Sequence, residues 1–290
     1  MGLLENTGIV EAFRGVDGAD LCFRAWRPEG RPERDIACIY THGGTTHSAW
    51  FADVAYGLAR RGITVYGMDR RGSGLNRGTP FHPGRFKDDI AIFLRKVRAA
   101  HAEVHVVGLC HGAIALSHTL LTNEIAVDSI VMINPLFAFK RKGPLWSARQ
   151  AARIAGALAL GRPVAADVEA SVFTRSRAFH EYCAGDPMRL SRLPGSFFSD
   201  LLLMSRFVRK HARRMADVPL LVLVGGRNEM IDAASVSRFL SALPAARTER
   251  YADGAHILFF DEPERFTDDL VAWLEDGWRR TVTRGSRAAA

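Results

Sequence analysis

Gly108-Leu109-Cys110-His111-Gly112 lies between an apolar run, Val104 to Leu109, and a helix-like run, Ala113 to Thr122. Strand, sharp turn and helix around a Gly-x-nucleophile-x-Gly core make the pattern of a nucleophile elbow. Its glycines leave room for a tight turn whose central residue is held in strained backbone. Here that residue is a cysteine rather than the usual serine. The competing reading is a small buried thiol at a strand end, a common place for free Cys.

Outward from this stretch the chain alternates. Residues 8–14 and 20–27 read as two strands joined by the turn residues 15–18. Buried-type apolar strands follow at 35–41, 63–69, 104–109 and 127–133, with 218–225 and a short strand at 246–252 further on. Helices are expected at 48–61, with Ser48 as N-cap, and at 85–100, 111–122, 232–242 and 262–279. Apolar strands alternating with helices specify a mostly parallel sheet covered by helices, an α/β fold of eight strands. The alternation stops near residue 138. Residues 138–216 hold no clear strand and contain Arg-rich helical stretches at 145–160 and 196–215. The expected organisation is a core of 1–137 and 217–279, a helical cap of 138–216 inserted after the sixth strand, and a frayed tail of 280–290.

Composition narrows the function classes. The chain has 290 residues, 48% of them hydrophobic, and no apolar stretch near the roughly 20 residues a membrane span needs. No signal-peptide pattern opens it, so a cytoplasmic location is expected. Cys22, Cys38, Cys110 and Cys183 are scattered without metal-site spacing, so neither a disulfide framework nor a metal is expected, and no cofactor is called for. The net charge is +8, from 39 Lys and Arg against 31 Asp and Glu. Residues 140–214 hold 15 and 5 of these, leaving 24 and 26 elsewhere, so one segment carries the basic excess. It reads as a solvated face or as a field for an anionic group such as a phosphopantetheine carrier, CoA or a lipid headgroup. No nucleic-acid motif is present.

A thiol nucleophile needs a base, an orienter for the base and an oxyanion site. His256, after the last strand, is the candidate base. The backbone N–H groups of His111 and Gly44 are the candidate oxyanion donors. The helix N-terminus after Cys110 is expected to favour its thiolate. His42 and His47 are candidate substrate-binding residues, each with a competing role in shaping its loop.

These features together resemble the monoacylglycerol lipase, lysophospholipase and serine aminopeptidase branch of the α/β-hydrolase superfamily. The resemblance rests on His42-Gly43 and His47, Asp69-Arg70-Arg71-Gly72-Ser73-Gly74, the elbow, Asp186-Pro187, Gly226 to Asp232, and Gly254-Ala255-His256. It covers roughly residues 10–278 and implies the α/β-hydrolase fold. Two positions depart from it. The family's nucleophilic Ser is Cys110 here, and its catalytic Asp matches Asn228. Cys110–His256–Asn228 is chemically coherent, since a Cys–His pair can rest as thiolate and imidazolium with Asn as orienter. Asp232 or Glu229 could instead supply a carboxylate. A thioester acyl-enzyme shifts the expected reaction toward acyl transfer, thioester cleavage or cyclisation on a small-molecule acyl substrate. The alternatives are hydrolysis of a carboxylic ester of the monoacylglycerol kind, and a catalytically degenerate binding protein.

Overall fold

The computed structural model describes residues 7–30, 34–140, 155–156, 162–166 and 168–279. The expected helix at 145–160, apart from 155–156, and the expected tail at 280–290 lie outside these residues. Among the described residues eight strands form one sheet: β1 (Ile9–Arg14), β2 (Asp20–Trp26), β3 (Ile36–Thr41), β4 (Thr64–Met68), β5 (Glu103–Leu109), β6 (Ser129–Ile133), β7 (Leu220–Gly225) and β8 (Arg247–Tyr251). Their order across the sheet is β1-β2-β4-β3-β5-β6-β7-β8. β1 pairs antiparallel with β2, and β2 with β4. The other five pairings are parallel. This is the α/β-hydrolase fold. Every residue of β3, β4 and β6 is buried, as their unbroken apolar runs require when helices cover both faces.

Parallel pairing brings the C-terminal ends of β3, β5, β7 and β8 to one edge, the crevice where open α/β sheets take ligands. The loops that leave these ends carry His42 to His47, Cys110, Gly226 to Ile231, and Ala252 to His256.

Three expectations need correction. The helix read at 48–61 opens as a 3₁₀ turn, Ser48–Phe51, before α1 (Ala52–Ala59), and Ser48 does not cap it. The Ser48 N–H donates instead to the buried Asp69 carboxylate at 2.6 Å, which also accepts from the Leu75 N–H at 2.9 Å. Asp69 thus satisfies amides at the start of two 3₁₀ turns, Ser48–Phe51 and Gly74–Asn76. Residues 138–216 do contain paired strand, a two-residue antiparallel ladder joining Val164–Ala165 to Arg192–Leu193. The last expected helix divides into α7 (Pro263–Ala272), numbered after the helices named below, and a π-helical turn, Trp273–Gly277, that buries Trp273.

The remaining long helices are α2 (Pro83–Arg98), α3 (His111–Thr122), α4 (Arg177–Gly185), α5 (Gly195–Lys210) and α6 (Ala233–Leu240). No described helix is long and apolar enough to cross a membrane. Arg71 locks α2 to the first hairpin, with Nε on Asp89 at 2.5 Å and a second guanidinium nitrogen on Asp17 at 2.7 Å.

Candidate active site

Cys110 connects β5 to α3 with φ 57° and ψ −113°, left-handed backbone that only surrounding structure can hold in a residue with a side chain. Both flanking glycines are obligatory. A Cβ on Gly108 would stand 2.4 Å from the Ala113 Cα, and one on Gly112 would stand 2.2 Å from the Thr41 carbonyl oxygen. The turn is fixed further by the Cys110 N–H, which donates to the Ile133 carbonyl at 2.9 Å.

The thiol is buried beside two amides. Burial pushes its pKa up to about 12, while bonds from the His111 and Gly44 N–H groups pull it back in part. The helix N-terminus therefore does not make a resting thiolate, because desolvation outweighs the amides. The two expected oxyanion donors do converge at this sulfur.

His256 lies on the loop after β8, and its position is set by backbone. Its N–H and that of Ile257 donate to the Phe173 carbonyl at 3.1 and 2.7 Å. Its own carbonyl accepts from Asn134 Nδ2 at 2.8 Å, and that of Ala255 accepts from the same nitrogen at 3.2 Å. Asn134 Oδ1 accepts from the Gly225 N–H at 2.9 Å. Sequence reading assigned Asn134 nothing; the signal was an Asn-Pro pair ending β6 toward the crevice. Burial lowers the His256 pKa to about 3, so the ring is neutral. Burial thus opposes the charged forms of both Cys110 and His256.

The residue at His256 Nδ1 is Asn228, with Nδ2 at 3.1 Å. Asp232 is a correction: its carboxylate accepts from the Ala234 N–H at 3.2 Å as N-cap of α6 and pairs with Arg238 at 3.3 Å. Glu229 is exposed.

His42 and His47 are also corrections. His42 Nδ1 donates to the Gly43 carbonyl at 2.7 Å, and Nε2 accepts from the Arg70 N–H at 3.0 Å, so both nitrogens are used inside the loop. His47 Nε2 bonds to Asp186 at 2.7 Å, and the same carboxylate oxygen takes the Trp50 indole N–H. Neither lines the cavity at Cys110. They shape the loop after β3 and tie it to the segment between β6 and β7.

Arg70, quoted in a motif but given no role from sequence, holds the oxyanion loop. Its guanidinium donates to the carbonyls of Gly43 and Gly44 at 3.2 and 2.7 Å and lies 5.1 Å from the Phe197 ring centre. The His111 side chain is packed between Phe86 and Phe197, and burial holds it neutral. The cavity itself is walled by apolar side chains, including Leu136, Phe139, Phe173, Leu193 and Phe197, and Cys110 and His256 also line it. Such walls suit an acyl chain. Among the described residues no group of three His, Cys, Asp or Glu could hold a metal ion.

Residues 32–263 match the family described as serine aminopeptidase, S33. A monoacylglycerol lipase of Mycolicibacterium smegmatis is 24% identical over 288 residues, covering 94% of this chain and 99% of that protein. A stretch of the polyketide synthase ThaQ of Burkholderia thailandensis is also 24% identical, covering 81% of this chain and 12% of that protein. Among solved structures, a soluble variant of the monoglyceride lipase of Saccharomyces cerevisiae superposes with a TM-score of 0.81 at 15% identity, covering 95% of this chain and 97% of that one.

Proposed function

We propose, from the premise that the chain belongs to the serine aminopeptidase S33 family of hydrolases, that it cleaves carboxylic esters through an acyl-enzyme on Cys110. The observation that carries this reading is the apolar cavity lined by Cys110, where the Gly44 and His111 amides meet. The acyl chain lies against Leu136, Phe173 and Phe197. The carbonyl oxygen takes the two amides as negative charge develops on it. The Cys110 sulfur gives its proton to solvent and attacks the carbonyl carbon; the bond to the leaving group breaks, that group takes the electron pair and a solvent proton, and water releases the acid and restores the thiol. His256 faces the reacting atoms and Asn228 orients it. Leu193 and Phe197, from the segment 138–216, wall the cavity, so the described part of that segment serves as the lid.

A second reading, transfer of the acyl group to an acceptor other than water, is favoured by Asn228 standing where the family has a carboxylate, and by the likeness to part of a polyketide synthase. In that reading the donor is an acyl thioester, and the basic 140–214 segment meets the phosphates of a carrier or CoA.

Incubation with p-nitrophenyl butyrate, glycerol monobutyrate and butyryl-CoA, followed by intact and peptide mass, tests both readings. A butyryl adduct on Cys110, absent from Cys110→Ala, is expected. Turnover that survives Cys110→Ala would overturn the reading. Product recovered as acid supports hydrolysis, and product recovered on an added amine or alcohol supports transfer.

A further inference from the structure

The side-chain amide of Asn228 has two different ends, and both are committed. Its Oδ1 accepts from the N–H groups of Met230 at 2.9 Å and Ile231 at 3.3 Å. These donors belong to the turn that follows β7 and cannot reverse. Turning the amide over would set its N–H₂ against two N–H groups, leaving buried donors without acceptors. The Nδ2 end therefore faces the ring, at 3.1 Å from His256 Nδ1. Nδ2 can only donate. Nδ1 must then present its lone pair.

A neutral imidazole carries one proton. With a lone pair at Nδ1, the proton sits on Nε2, the nitrogen not held by Asn228. We infer that Asn228 holds His256 as the Nε2–H tautomer, so that the ring meets Cys110 and its substrate as a hydrogen-bond donor and not as a base. A carboxylate at this position could accept from the turn with one oxygen and from Nδ1–H with the other. Exchanging one oxygen for N–H₂ keeps the turn and inverts the ring.

The inference rests on the proposed Cys110 chemistry and narrows its substrate class. The thiol proton cannot pass to Nε2 and leaves to solvent. The thiolate forms the C–S bond, and the carbonyl electron pair moves to the oxygen held by Gly44 and His111. On collapse the bond to the leaving group breaks, and that group departs with the electron pair. A neutral Nε2–H can hydrogen-bond to it but does not give up its proton. Groups that are stable as anions depart unaided: thiols and phenols titrate at ~8.5 and ~10. Alkoxides of glycerol-type alcohols do not. The ligand class is thus an acyl thioester or aryl-type ester. Incoming water also finds no base on this ring, so water releases the acid slowly, and a stronger nucleophile takes the acyl group faster.

The test has a spectroscopic arm and a kinetic arm. In wild-type protein labelled with ¹⁵N-histidine, the His256 ring is expected as Nε2–H at neutral pH. An Nδ1–H ring or an imidazolium would overturn the inference. Wild type is expected to favour p-nitrophenyl butyrate over glycerol monobutyrate more strongly than Asn228→Asp does. The variant should narrow that preference by at least about a hundredfold, the scale of general acid–base assistance, and should show Nδ1–H in the same spectrum. An unchanged preference would overturn the inference. If wild type forms no butyryl adduct on Cys110 from any ester or thioester, the proposed function falls, and the ¹⁵N spectrum alone still decides the tautomer.

Discussion

Asn134 Nδ2 donates to the His256 carbonyl at 2.8 Å across 122 positions of sequence, while its Oδ1 takes the Gly225 N–H at 2.9 Å. One buried amide thus joins the ends of β6 and β7 to the loop that carries His256. Asn134 holds φ 45°, a left-handed conformation that Asn tolerates better than most residues.

Replacing this amide should affect both folding and turnover. Asn134→Leu leaves the Ala255 and His256 carbonyls and the Gly225 N–H without a partner. Each such group costs about 1–3 kcal/mol. A loss of roughly 3 kcal/mol or more in urea unfolding is expected, with kcat falling more than KM rises. A variant as stable and as active as wild type would remove the positioning role.

Acid should destabilise the protein early. Burial lowers His256 to about 3 and His105 to about 4, and burial also holds His42 and His111 well below the ordinary histidine value. In the unfolded chain all four titrate near 6.5. Below that pH the unfolded state binds protons that the folded state refuses, so stability is lost as pH falls toward the folded values. Each ring contributes up to about 1.4 kcal/mol per pH unit within its window. The urea midpoint should drop steeply between pH 6.5 and 4.5. A flat midpoint over this range would mean that the rings charge in place.

Alkylation of Cys110 should be slow at neutral pH. Burial pushes the thiol up to about 12, and the thiolate is the reactive form. The iodoacetamide rate at Cys110, read by peptide mass, should climb about tenfold per pH unit between pH 8 and 10. A rate already at its plateau near pH 7 would reveal a thiolate–imidazolium pair.

Arg70 should matter to turnover without touching substrate. Arg70→Lys keeps the charge but loses the fork that grips the Gly43 and Gly44 carbonyls. With the Gly44 amide less well aimed, kcat on p-nitrophenyl butyrate should fall about tenfold to a hundredfold, below the loss measured for deleting an oxyanion donor outright. KM should change little. An unchanged kcat in a folded variant would free the loop from this residue.

The sequence by itself determined what neighbours along the chain enforce. Gly108 announces the turn because a Cβ there would strike the backbone of Ala113, five residues on, whereas the room Gly112 leaves is for the distant end of β3 at Thr41. Unbroken apolar runs announce β3 to β7 because strands buried on both faces have no polar side. The sheet, its eight strands and the place of His256 after β8 follow from that local code. Tertiary structure alone decided how the polar groups are used. His42 and His47 sit in a loop that looks made for substrate, yet Arg70 and Asp186, 28 and 139 positions away, claim the Nε2 of each. Asp232 has the right chemistry for an orienter and caps α6 instead. The charge states of Cys110 and His256 depend on how completely the cavity walls remove water, and no residue type at one position encodes that. Which end of Asn228 meets His256 is settled by two N–H groups in the following turn.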